Sequence, residues 1–188
     1  MLFEYVKMKV ELLILDVDGV LTDGTKVYDV DHNVLSKKFM CKDFTAIKRF
    51  IAAGIKIVML SGDNFNRSMA EKRNIDFYCS RNKDLSLDKS RYLSIFKEKY
   101  NIDINKMAFV GDDYFDLSII KELTNTFCPA DSPKIIKDFS MYIINRNGGN
   151  GVLVELYDMF VSKKWICDAS EEAVANLDKL EISSQEMK

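Results

Sequence analysis

The chain has 188 residues, 47% hydrophobic and 30% charged, with 27 basic side chains against 29 acidic ones for a formal charge of −2. One domain of this length buries about 70% of its unfolded surface without disulfide or metal staples, and the apolar share excludes disorder over most of it. A near-neutral balance without a basic stripe excludes an electrostatic nucleic-acid binder, whose affinity comes from Lys and Arg on phosphates, and leaves a small-molecule enzyme or a protein-binding module.

In chain order, Met1 to Lys9 mix charges with apolar residues and lack a signal-peptide stretch, and no run of about 18 apolar residues occurs anywhere. A reduced, cytoplasmic protein with no membrane partner is expected. Val10 to Leu15 is a continuous apolar run that ends at Asp16. Lys26 to Val30 and Val34 to Phe39 flank the turn-forming Asp31, His32 and Asn33, which predicts a projecting β-hairpin. Phe44, Ile47, Phe50 and Ile51 follow with helical spacing, then the apolar run Ile55 to Leu60. Leu93, Phe96 and Tyr100 precede the run Met107 to Val110; Ile119, Ile120 and Leu123 come after it, and Met141 to Ile144 is a fourth run. Gly148, Gly149 and Gly151 form a loop leading into a last core helix from Val152 to Phe160.

Short branched runs alternating with helical spacings predict a doubly wound, Rossmann-like α/β fold: a parallel sheet with helices on both faces. Residues 1–161 are expected as one domain. Residues 162–188 turn polar and are expected as a tail in which Ala169 to Leu180 can form a solvated helix. Cys41, Cys79, Cys128 and Cys167 stand far apart with no C-x-x-C pair, and His32 is the only histidine, so no zinc site is legible and the cysteines are expected as buried small hydrophobes.

Ligands of an open α/β sheet bind beyond the carboxyl ends of its strands. There the chain places Asp16-Val17-Asp18-Gly19-Val20-Leu21-Thr22, then Ser61-Gly62-Asp63, then Gly111-Asp112-Asp113 with Asp116 one turn later. Clustered carboxylates repel unless a cation neutralises them, and hard oxygen ligands suit Mg²⁺. A metal that screens a phosphate lets an anionic Asp attack phosphorus, and water then hydrolyses the aspartyl phosphate. Singly, Asp112 or Asp113 could instead cap a helix near Tyr114, and Ser61 or Asp63 one near Asn64. Asp16 and Asp18 point to one side at the mouth of a buried strand and are expected to have no basic partner nearby.

These motifs resemble the haloacid dehalogenase superfamily of phosphatases. The resemblance implies Asp16 as nucleophile, Asp18 as general acid and base, and a phosphate or substrate site drawn from Ser61, Gly62, Lys89, Thr22 and Lys42. It implies Mg²⁺ held by the Asp16 carboxylate, the Asp18 backbone carbonyl and the Asp112 carboxylate, with Asp113 and Asp116 behind them. Lys89 is preferred to its competitor Lys83 because it lies 22 residues before Gly111, as in related phosphatases. The gaps of 45 residues from Asp16 to Ser61 and 28 from Ser61 to Lys89 leave no room for a cap domain of ordinary size.

A capless chain with this hairpin, Lys42-Asp43 and the Gly148 to Val152 loop resembles the octulosonate 8-phosphate phosphatases and relatives acting on nine-carbon sugar acids. That likeness implies hydrolysis of a terminal phosphate from a 3-deoxy-2-keto sugar acid, in lipopolysaccharide or sialic-acid-type biosynthesis. It also implies a homotetramer built through the 26–39 hairpin, with Val27, Tyr28, Val34 and Phe39 as interface residues. Lys42-Asp43-Phe44 and Ser61-Gly62-Asp63 depart from the octulosonate pattern, which has Arg-Asp-Gly and Thr-Gly-Arg there, so a nonulosonate 9-phosphate stands beside octulosonate 8-phosphate as substrate. The competing class is a non-catalytic oligomerisation or regulatory module on a sugar-acid cytidylyltransferase.

Overall fold

The computed structural model describes residues 9–81 and 88–186. Six parallel strands form the central sheet: β1 (Leu12–Leu15), β4 (Lys56–Ser61), β5 (Asp76–Cys79), β6 (Met107–Val110), β7 (Asn125–Pro129) and β8 (Tyr142–Ile144), in the order β5-β4-β1-β6-β7-β8. The chain winds outward from β1 to one edge and returns to start again on its other side. β1 and β6 therefore flank the switch point, and the crevice beyond their carboxyl ends is where this architecture places a ligand.

Strand alternation divides the core. Leu13 and Leu15 of β1 join Ile57 and Met59 of β4 under α1 (Cys41–Ala52), α2 (Arg67–Glu71) and α6 (Val152–Ser162), whereas Leu12, Ile14, Val58 and Leu60 face α3 (Tyr92–Tyr100), α4 (Leu117–Glu122) and α5 (Lys134–Phe139). On the first face Phe50 stands edge-on to both Tyr157 and Phe160; on the second, Phe96 packs against Tyr78 and Tyr92. Each such fully buried ring contributes about 1.5–3 kcal/mol of burial. The doubly wound sheet with helices on both faces is thus as the apolar runs predict.

Two strands escape that pattern. β5 reads Asp-Phe-Tyr-Cys, and β7 reads Asn-Thr-Phe-Cys-Pro although all five residues are buried. Tertiary partners make β7 possible: Asn125 Nδ2 donates to the carbonyls of Asn105 and Met107, and Thr126 Oγ1 accepts from the Met141 N–H. Satisfied in this way, polar side chains sit in an interior strand without the desolvation cost that their types suggest.

The hairpin forms with shorter strands than its sequence suggests, β2 (Val27–Tyr28) and β3 (Val34–Ser36), and Tyr28 stacks on His32 across the turn. Val27, Tyr28, Val30 and Leu35 are exposed; Val34 is half-buried, and Phe39 packs against Phe44 at the core. Of the cysteines only Cys128 is buried, while Cys79 is half-buried and Cys41 and Cys167 are exposed, which corrects the expectation of four buried thiols.

Residues 171–186 form a helix, α7 (Glu171–Glu186), that lies along α1. Lys48 pairs with Asp178 and Glu181, and Arg49 pairs with Asp168 and Glu171. Just before it, the Tyr157 hydroxyl donates to Asp168 at 2.6 Å and accepts the Ala169 N–H at 2.8 Å, which ties the approach to α7 onto α6. Among the described residues no helix is long and apolar enough to cross a membrane.

Candidate active site

The parallel ladder continues past the strand ends and fixes the loops above it. The Asp16 N–H donates to the Val110 carbonyl at 2.9 Å, and the Ser80 N–H to the Ser61 carbonyl at 2.9 Å. Gly148 and Gly149 brace the segment after Asp16 from outside: a Cβ on Gly148 would lie 2.2 Å from the Gly19 carbonyl oxygen, and one on Gly149 2.6 Å from the Asp23 nitrogen. The predicted glycine loop therefore lets two backbones touch. Asp43 anchors the next helix, its Oδ1 accepting from the Leu153 and Val154 N–H groups at the start of α6 at 2.8 and 3.3 Å.

A cavity of about 320 Å³ opens at the switch point, lined by Asp16, Asp18, Gly24, Lys26, Ser61, Gly62, Asp63, Ser80, Arg81, Lys89, Asp112, Asp113 and Phe115. Carboxylate oxygens of Asp16, Asp112 and Asp116 lie within 4.8 Å of one another. Asp116 is already committed. Its Oδ1 takes the Lys89 ammonium at 2.5 Å, and its Oδ2 accepts the backbone N–H groups of Asp112 and Asp113 at 2.9 and 3.1 Å. It thereby shapes the acidic loop and holds the lysine, whose Nζ also reaches Asp16 Oδ1 at 3.2 Å. Lys83 lies outside the described residues.

Asp113 does cap the turn at Tyr114, in a reciprocal capping box with Asp116, and Asp63 caps the turn at Asn64 through the Phe65 N–H. Asp112 caps nothing. Its Oδ1 is buried without a hydrogen-bond partner, and the φ of +86° at Gly19 brings bare backbone against it: a Cβ there would overlap Asp112 Oδ2 at 2.0 Å.

Burial raises the Asp16 carboxyl to about 7; the Lys89 charge opposes the rise and Asp116 adds to it. Burial and then repulsion from Asp16, Asp116 and Asp113 push Asp112 up to about 8. Burial alone would depress the Lys89 ammonium, but the charges of Asp116 and Asp16 outweigh it and hold it above the ordinary lysine value. One buried and one half-buried carboxylate, both pushed up and the second with a buried orphan oxygen, fit a divalent cation: its charge would reverse both shifts, and hard carboxylate oxygens suit Mg²⁺.

Asp18 faces the cavity from a second network. The Lys37 ammonium donates to both of its oxygens at 2.8 Å, to Asp63 Oδ2 at 2.9 Å and to Asn66 Oδ1 at 3.1 Å. Asn66 Nδ2 donates in turn to Asp18 Oδ2 at 3.2 Å and to Ser61 Oγ at 3.1 Å, and the Thr22 hydroxyl reaches Asp18 Oδ1 at 3.4 Å. Asp63 also takes Lys26 at 2.8 Å; burial works to raise its carboxyl, but these two lysines and the Phe65 N–H outweigh that and hold it well below the usual carboxylate range.

Asp16, Asp18, Ser61, Gly62, Lys89, Asp112 and Asp113 thus line one cavity, with Thr22 and Asp116 directly behind. Lys42 is the exception. It projects from the first turn of α1 into a different cavity of about 570 Å³ between α1 and α6, because the helix starts at Cys41 and carries it away from the strand ends. Lys37, Lys26, Asn66, Ser80, Arg81 and Phe115 also belong to the site although no motif in the sequence marks them. Lysines outside the motifs read as solvated; the Lys37 side chain is fully buried, and both Asp16 and Asp18 have basic partners brought from distant segments.

Residues 83–156 match the haloacid dehalogenase-like hydrolase family. Over that stretch the chain is similar to the haloacid dehalogenase-like hydrolases. It is also similar to a curated relative, the 3-deoxy-D-manno-octulosonate 8-phosphate phosphatase of Haemophilus influenzae, at 28% identity over 155 residues covering 81% of this chain and 83% of the relative. The cobalt-bound structure of the octulosonate phosphatase from that organism superposes with a TM-score of 0.75 at 28% identity, covering 84% of this chain and 90% of that one. The Moraxella catarrhalis octulosonate phosphatase, solved with magnesium, phosphate and KDO, shares the fold at a TM-score of 0.74 and 23% identity over 84% of this chain and 88% of its own.

Proposed function

We propose that the chain is a haloacid dehalogenase-like hydrolase, a Mg²⁺-dependent phosphomonoesterase that removes the terminal phosphate from a 3-deoxy-2-keto sugar acid, octulosonate 8-phosphate or a nonulosonate 9-phosphate. The observation that carries the reading is the pairing of buried Asp16 with half-buried Asp112 at the sheet's switch point, with the buried, orphan Oδ1 of Asp112 between loops that leave it no protein partner. The carboxylates of Asp16 and Asp112, with the Asp18 carbonyl, would hold Mg²⁺, which when bound screens the charge of the incoming phosphate.

Asp16 then supplies the attacking oxygen. Lys89 holds Asp16 by an ion pair and keeps its own charge in the buried floor, where charge developing on the phosphoryl oxygens is felt most strongly. The Ser61 hydroxyl, oriented by Asn66, positions a phosphoryl oxygen. Asp18 protonates the departing sugar oxygen and later takes a proton from the water that cleaves the aspartyl phosphate. An acidic apparatus kept this complete favours catalysis over a scaffold role. The chain is further read as a phosphatase domain over 1–161 with α7 as an appended element, as cytoplasmic, and as a homotetramer through its exposed hairpin, whose apolar Val27, Tyr28 and Leu35 call for covering.

The test is phosphate release from octulosonate 8-phosphate and nonulosonate 9-phosphates, side by side, with Mg²⁺ and with chelator. Metal-dependent turnover that vanishes in Asp16→Asn is expected; substantial turnover by that variant removes Asp16 as the nucleophile, and no turnover of any sugar acid phosphate removes the substrate class.

A further inference from the structure

The Ser61-Gly62 turn is covered on its open side by a side chain outside every motif. Arg81 follows β5, and the Ser80 N–H bonded to the Ser61 carbonyl holds the two strand ends together. A Cβ on Gly62 would stand 3.1 Å from Arg81 Nε and 3.6 Å from its Cγ and Cδ, so the arginine stem lies on the bare face of that glycine. On the other flank its guanidinium carbon is 5.8 Å from the centroid of Phe115, in the loop after β6 that also carries Asp112. Arg81 therefore spans the cavity mouth, from the hydroxyl turn to the acidic loop.

The other cations of this region are committed: Lys89 to Asp16 and Asp116, Lys26 to Asp63, Lys37 to Asp18 and Asp63. Arg81 has no carboxylate partner among the described residues. A guanidinium presents a planar fork of donors suited to two oxygens of one anion, and it stays charged at any working pH. We propose that Arg81 is a further catalytic residue, contacting the nonbridging oxygens of the phosphoryl group from the cavity mouth while Lys89 serves that group from the buried floor. The inference rests on the phosphatase reading. An oxyanion under Arg81 could also be the substrate's carboxylate, but the arginine lies against Gly62, next to the Ser61 hydroxyl, which favours the phosphoryl group.

The experiment measures binding of inorganic phosphate with Mg²⁺ by titration calorimetry, and turnover of octulosonate 8-phosphate and of the uncarboxylated p-nitrophenyl phosphate, in wild type, Arg81→Ala and Arg81→Lys. Arg81 is exposed, so unchanged melting of both variants is expected. The expected result is phosphate binding weakened roughly 10- to 100-fold in Arg81→Ala, the loss of a charge-assisted contact. kcat/KM should fall by a similar factor on both substrates, with partial rescue in Arg81→Lys. Phosphate binding within twofold of wild type overturns the proposal, and so does a loss confined to the carboxylated substrate, which assigns Arg81 to the carboxylate instead. A wild type that neither binds nor releases phosphate overturns the phosphatase reading itself, and this inference with it.

Discussion

Replacing Lys37 by Met keeps the length and apolar stem of the side chain and removes the charge that joins Asp18, Asp63 and Asn66. Taking one partner from a fully buried ion pair costs about 3–5 kcal/mol. Here the Lys37 side chain is fully buried, but Asp18 and Asp63 keep 23% and 21% of their side-chain exposure, and Lys26 remains on Asp63. Water and Lys26 therefore recover part of the loss, leaving roughly the value of one charge-assisted contact to Asp18, about 1.5–3 kcal/mol. At this chain length that lowers the melting temperature by roughly 3–12 °C. Asp18 also loses its orientation, so kcat should fall about 100-fold, the lower end of what a placed acid–base group contributes. Scanning calorimetry and a phosphate-release assay measure the two effects separately, and the double variant with Asp18→Asn should lose less stability than the sum of the singles. A Lys37→Met protein that melts within about 1 °C of wild type and keeps its kcat refutes this account, because a surface lysine behaves that way.

The metal-free protein should lose stability as pH rises from about 4 to about 8. Asp16 and Asp112 titrate near 7 and 8 when folded, against an ordinary value of 3.8, so the folded chain holds more protons than the unfolded one across that window. Mg²⁺ should accordingly raise the melting temperature more at pH 8 than at pH 5.5; equal shifts at the two would show that these carboxylates do not hold it. Gly19→Ala places a Cβ on Asp112 Oδ2 and strains a φ of +86°, so phosphatase activity and the Mg²⁺-induced melting shift should both be lost, and retention of either would remove the close approach from the argument. Truncation after Ser170 removes α7, whose contacts with α1 include ion pairs of partly exposed side chains worth about 0–1 kcal/mol each. A small drop in melting temperature with turnover intact is expected, and failure of the truncated chain to fold would make α7 part of the phosphatase domain.

The fold and the acidic half of the site were legible for one reason. A strand buried on both faces is a continuous apolar run, so the residue that ends it, Asp16, Ser61 or Gly111, is marked in the sequence, and parallel topology carries those ends to one edge. Lys89 was singled out by the family resemblance, through its 22-residue distance from Gly111, and its ammonium reaches Asp16. β5 and β7 stayed hidden because edge position and side-chain hydrogen bonding let polar residues occupy them, and neither condition is local. Lys42 has a residue type suited to a phosphate site, yet the helix that contains it turns it into another cavity. The cationic half of the site was decided by tertiary structure. Lys37 and Lys26 come from the hairpin region, Arg81 from the end of an unmarked strand, and nothing in their neighbours distinguishes them from solvated side chains. A carboxylate at a strand end is placed by its own strand; the charge that balances it is placed by whichever distant segment the fold happens to lay alongside, and one-dimensional order does not record that distance.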